Sequence, residues 1–100
     1  MIVVSGTLTF APDRLDAAIA AMNELAATTR TEEGCLEYAY WQSTTDPGVF
    51  RAYEEWADDD AMNAHMGSAH MAEFMGKVMD LGITGAQIWR FDGATRSKLL

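Results

Sequence analysis

The chain is 100 residues long and 49% hydrophobic, with a formal net charge of −8 and one cysteine, so it holds a single domain with one modest core. Fifteen Asp and Glu against seven scattered Lys and Arg repel a phosphate backbone, which argues against a nucleic-acid partner. Cys35 alone permits no internal disulfide and suits a reducing compartment, where it reads as a small buried hydrophobe rather than a nucleophile.

The opening run MIVVSGTLTF is too short to span a membrane and lacks a basic leader, so a cytoplasmic protein with no membrane partner is expected. Within it Ile2, Val4, Leu8 and Phe10 alternate with Ser5, Thr7 and Thr9, which predicts a first strand. Pro12 then opens a helix: its missing amide costs nothing at the first helical position, and Asp13 complements the positive helix end. Leu15, Ala18, Ile19, Met22, Leu25 and Ala26 recur at spacings of three and four and form one apolar stripe, with Gly34 as the expected stop.

Two strands follow, about Cys35 to Ser43 and Val49 to Trp56, joined by the strong turn chemistry of Asp46-Pro47-Gly48 into an antiparallel hairpin. Asp58, Asp59 and Asp60 could suggest a metal site, yet a capping carboxylate with favourable macrodipole charges explains them more cheaply, and no hard-cation ligand pattern continues beyond them. A short helix ends near Gly67, and Ser68 caps a further helix whose Met71, Phe74, Met75, Val78 and Met79 form a stripe expected in the core. A last strand, Ile83 to Phe91, places Ile83, Gln87, Trp89 and Phe91 on one side, with Ile88 and Arg90 on the other. The order β-α-β-β-α-β predicts an α+β, ferredoxin-like domain over residues 1–92, and residues 93–100 read as a polar tail, frayed or docked on a partner.

Two helices can cover only one face of a four-stranded antiparallel sheet. The second and third strands carry apolar or aromatic groups on both sides, Cys35, Ala39 and Trp41 against Leu36, Tyr38 and Tyr40. A homodimer packed sheet on sheet is therefore expected.

The chain's two histidines, His65 and His70, lie close in sequence to Tyr38, Tyr40, Trp41, Tyr53 and Trp56, a combination that suggests either an aromatic-lined pocket with proton-transfer groups or a dense aromatic core. Imidazole titrates near neutral pH, which makes His65 the natural proton carrier; alternatively a backbone carbonyl or Glu54 simply satisfies it. His70 lies five residues on, roughly 140° round an unbroken helix, which keeps the two rings apart and makes His70 a satellite. Glu54 shares a strand face with Phe50, Ala52 and Trp56 and must be paired there, either with His65 or a substrate hydroxyl, or structurally with Arg51, Arg90 or a tyrosine hydroxyl. A four-residue loop, Thr45 to Gly48, would set Tyr40 opposite Tyr53. Trp41 and Trp89 read as packing and Asn63 as exposed. The sequence contains no dinucleotide fingerprint, phosphate loop or metal-ligand spacing.

The run Glu33-Gly34-Cys35-Leu36-Glu37-Tyr38, then Asp46-Pro47-Gly48-Val49-Phe50, Tyr53-Glu54-Glu55-Trp56, Ala61, His65, Ser68, His70 and Phe74 resembles the antibiotic biosynthesis monooxygenase superfamily, small dimeric α+β barrel proteins that include YgiN-type quinol monooxygenases. The resemblance spans most of the chain and speaks to fold more than to substrate, because members with different activities share it. It implies oxygenation of a phenolic, quinol or anthrone-like substrate by dioxygen without cofactor or metal. The deprotonated substrate itself passes an electron to oxygen, and the protein supplies a base, an apolar cavity and hydrogen bonds.

On that resemblance His65 is the catalytic candidate, as base or as orienting hydrogen-bond donor, and Trp56, Tyr38, Tyr40, Tyr53, Glu54 and His70 are the substrate-binding candidates. Haem-degrading members carry an asparagine on the first strand and a haem-ligating histidine on the later helix. Here those regions hold Ser5, Gly6 and Thr7, and Phe74 and Met75, which counts against haem. A non-catalytic small-molecule-binding or structural dimer of the same fold remains the alternative.

Overall fold

Strict alternation is what the first strand shows in the computed structural model, which describes residues 1–100: along β1 (Ile2–Phe10) every second residue is buried. Pro12 begins a 3-10 turn through Arg14 rather than the helix proper, and α1 (Leu15–Thr29) follows, burying Ala18, Met22, Leu25, Ala26 and Thr29. The helix stops before Gly34. Its C-terminal turn is closed by Thr31 N–H donating to Thr28 O and Glu32 N–H to Thr29 O, while Gly34, at φ +80°, turns the chain into the next strand. A side chain is excluded there twice over, by the left-handed backbone and by Ala61, whose Cβ would lie 2.5 Å from an added Cβ.

β2 (Cys35–Gln42), β3 (Val49–Trp56), α2 (Asp59–Met66), α3 (Ala69–Lys77) and β4 (Ile83–Phe91) complete the chain. The sheet order is β2-β3-β1-β4 with every pairing antiparallel, the α+β ferredoxin-like arrangement expected. No helix is long and apolar enough to cross a membrane.

The hairpin register differs from the expected one by a single residue. Tyr40 faces Ala52, and Tyr53 faces Ala39, because the loop holds five residues, Thr44 to Gly48. Ser43 causes this: its N–H donates to Val49 O, and its Oγ accepts from the amides of Thr45 and Asp46, so the ladder closes one step earlier. A one-residue slip exchanges faces, so Tyr53 lies on the opposite side of the sheet from Tyr38 and Tyr40. A bulge at Leu36 makes a second correction. It turns Cys35 inward beside Trp56 and away from the face of Ala39 and Trp41, leaving Leu36 exposed.

Both predicted caps form. Asp58 Oδ1 accepts from Ala61 N–H at 2.9 Å and Ser68 Oγ from Met71 N–H at 3.3 Å. The methionine stripe does not reach the core as expected: Phe74 and Val78 are buried, but Met75 and Met79 are exposed, since α3 ends at Lys77 and packs chiefly on α1. β4 is an edge strand whose Trp89 is 64% exposed. Trp41 on the far strand is 62% exposed, so neither tryptophan packs within the chain. The tail is tethered, with Ala94 N–H donating to Met1 O and Arg96 lying 3.6 Å from Glu55.

Candidate active site

The hairpin and α2 converge on one aromatic cluster. Inward residues of β2 and β3 alternate, bringing Tyr38, Tyr40, Glu54 and Trp56 to the covered face, and α2 lowers His65 onto them. The imidazole stacks 4.8 Å from the Trp56 ring at 31° and 5.3 Å from Tyr38 at 58°. Trp56 and His65 are 0% and 1% exposed.

His65 finds its partner in Glu32. Nδ1–H donates to Glu32 Oε2 at 2.7 Å, so neither Glu54 nor a backbone carbonyl satisfies it. The consequence is a fixed tautomer: with Nδ1 carrying the proton, the Nε2 lone pair is unengaged and available as a base. Burial lowers the His65 pKa below 6.5 despite the opposing pull of the Glu32 carboxylate, so the ring is neutral at physiological pH.

His70 is no satellite. The chain breaks between α2 and α3 at Gly67 and Ser68, which folds the second imidazole back until the ring centroids are 5.9 Å apart. His70 Nε2 lies 3.2 Å from the same Glu32 oxygen and 3.2 Å from Ser68 Oγ, whose hydroxyl donates to His65 O. Sequence reasoning missed Glu32. Periodicity cannot separate it from its exposed neighbour Glu33, and its only signal is a carboxylate in the turn that precedes the aromatic strand.

Glu32, His65 and His70 also place three ligand atoms within 4.8 Å of one another. The arrangement is one of hydrogen bonds: a 2.7 Å edge is shorter than the roughly 3.3 Å between ligands set tetrahedrally at about 2.05 Å from zinc.

Glu54 pairs with neither an arginine nor His65. Its Oε1 accepts the Trp56 indole N–H at 2.9 Å, and burial pushes its carboxyl up to about 7. A folded-state value above the ordinary 4.5 stabilises the fold fully below 4.5 and ceases to do so as pH rises through 7. Glu54→Gln, which keeps an oxygen for the indole but cannot ionise, is expected to raise stability by about 3 kcal/mol near pH 9 and by almost nothing near pH 4, as read from urea melts at both. His65 has the opposite sign, its contribution being complete above 6.5 and lost as pH falls through its lowered value.

Tyr38 and Tyr40 join hydroxyls at 2.9 Å, and desolvation raises both phenols, Tyr40 to about 12. Tyr53 stands apart on the open face, donating to Glu55 Oε2 at 2.7 Å. The surroundings of His65 are closely packed. A concavity on the Tyr40 side opens under α1, lined by Ile19, Met22, Asn23, Tyr40, Gln42 and Phe50, with a volume of about 160 Å³. That is the scale of one aromatic ring.

Comparison with known proteins agrees with the fold. A protein of Synechocystis, sll1783, is 30% identical over 87% of this chain, which spans 59% of that relative's length. A Bacillus subtilis protein named "Putative monooxygenase YcnE" is 27% identical over 81% of the chain and 85% of its own length. A crystal structure from Deinococcus radiodurans superposes with a TM-score of 0.93 at 23% identity, covering 100% of this chain and 99% of that one, and shows the shared fold. The family described as "Antibiotic biosynthesis monooxygenase" matches residues 1–77, and with more than three quarters of its length matched the chain belongs to that family.

Proposed function

We propose that this protein is a dimeric, cofactor-independent monooxygenase of a phenolic, quinol or anthrone-like ring, with His65 as the proton acceptor. The observation that carries the reading is the buried imidazole whose Nδ1–H is held by Glu32 and whose Nε2 is left free among aromatic rings. Family membership supports monooxygenase-like chemistry. A ring bound under α1 beside Tyr40 meets a phenol pair that reaches the Tyr38 face of His65. Proton loss to Nε2 makes the ring electron-rich enough to reduce dioxygen directly. For an anthrone-like carbon, one oxygen atom enters as the new carbonyl and the other leaves as water with the two hydrogens that carbon gives up.

The dimer belongs to the same proposal. Trp41, Trp89 and Phe91 are 62%, 64% and 53% exposed on the face the helices leave bare, a patch that a second sheet would cover. The close packing of His65 favours the other reading, a binding or structural dimer without chemistry. Oxygen uptake with a panel of hydroquinones and anthrones separates the two: turnover above the uncatalysed rate, by a species whose light-scattering mass is twice 11.0 kDa, is expected. Background rates across the panel would leave the non-catalytic reading.

A further inference from the structure

A base buried to 1% exposure needs a route by which its protons exchange with water during the cycle, and the structure offers a path. We propose that Glu32 and His70 form a proton relay from His65 to the open groove between α1 and α3, an inference that rests on the role of His65 given above. His65 Nδ1 and His70 Nε2 approach one carboxylate oxygen, Glu32 Oε2, at 2.7 and 3.2 Å. Exposure rises along that line, from 1% at His65 to 16% at Glu32 and 24% at His70.

His70 forms part of the groove wall, facing Glu24 and Thr28 of α1 and followed on α3 by Glu73 and Lys77. The groove is thus lined by two carboxylates and an ammonium as well as the imidazole. Lys77 Nζ pairs with Glu73 Oε1 at 3.1 Å. Ser68, whose Oγ stands 3.2 Å from Nε2, holds the ring in register from the helix break.

The transfer balances without any further reactant. The substrate O–H bond breaks as N–H forms on His65 Nε2. The Nδ1 proton then passes to Glu32 Oε2, and from there to His70 Nε2 when His70 carries its own proton on Nδ1. That Nδ1 proton leaves to water in the groove, with both rings then protonated on Nε2; when His65 Nε2–H protonates the departing oxygen later in the cycle, the same transfers run in reverse and restore charge and tautomers. His70 acts through His65 and does not touch the substrate.

The test follows protons directly, in the full chain without substrate. Exchange of the His65 ring Nδ1–H with water, measured by NMR on protein carrying ¹⁵N-labelled histidine, is expected to slow about a hundredfold in His70→Leu, the lower bound for a positioned proton carrier. The ring-nitrogen shifts that report the His65 tautomer should stay in place, and free imidazole should restore exchange. His70→Gln serves where the leucine variant fails to fold. Native exchange rates in the folded variant, or no response to imidazole, overturn the relay whether or not oxygen is consumed. Conversely, slowed and rescued exchange in a protein that consumes no oxygen would uphold the relay and remove the oxygenase.

Discussion

Gly6→Ala is expected to cost more than about 4 kcal/mol and to lower the melting temperature by roughly 15–30 °C, with expression as insoluble protein as the extreme outcome. Gly6 sits mid-strand in β1 between Ala52 of β3 and Ile88 of β4. An added Cβ would overlap the carbonyl oxygen of Gln87 and lie 2.5 Å from Ile88 Cα and 2.8 Å from Gln87 C. All three are backbone atoms, so no rotamer change relieves the overlap, and β4 would have to leave β1. Gly76 of α3 is the control: nothing lies within 4 Å of its added Cβ, and Gly76→Ala should gain up to about 1 kcal/mol from helix propensity. Matched melting curves for Gly6→Ala and the native protein would show that the edge strand yields freely.

On the proposed function, replacing His65 with Gln should lower kcat/KM for a quinol or anthrone substrate by about 10² to 10⁴, the range for a positioned base. Glutamine can still donate to Glu32 and fill much of the space against Trp56, so the folded state should survive while the free lone pair is lost. On the proposed function the acid limb of the native protein's rate profile should fall below pH 6.5, because burial favours the neutral ring. Sign matters here: a lowered pKa keeps the base form available at neutral pH and removes it only as acid is added. An acid limb above 6.5, or equal rates for His65→Gln and native protein, would take His65 out of the chemistry.

The architecture was legible because its signals are local. Alternation in Ile2–Phe10, the stripe on α1, the Asp-Pro-Gly turn and the caps at Asp58 and Ser68 are each written in a few adjacent residues. Faces depend on phase, and phase was lost at two single-residue events. The Ser43 closure moved Tyr53 to the other side of the sheet, and the Leu36 bulge moved Cys35 inward. The site itself was half legible. His65, Trp56, Tyr38 and Tyr40 assemble, and Glu54 joins them through the indole, but the partner of the imidazole lies 33 residues away in a turn with no pattern of its own.

The break at Gly67 and Ser68 carries a mechanical meaning. Because the imidazoles ride on separate short rods, the gap between them is set by how steeply the second rod leans, and that lean is governed where Phe74 and Val78 seat in the core. A methylene added or removed at those seats would be transmitted as a change of angle, tuning the spacing of the two imidazoles.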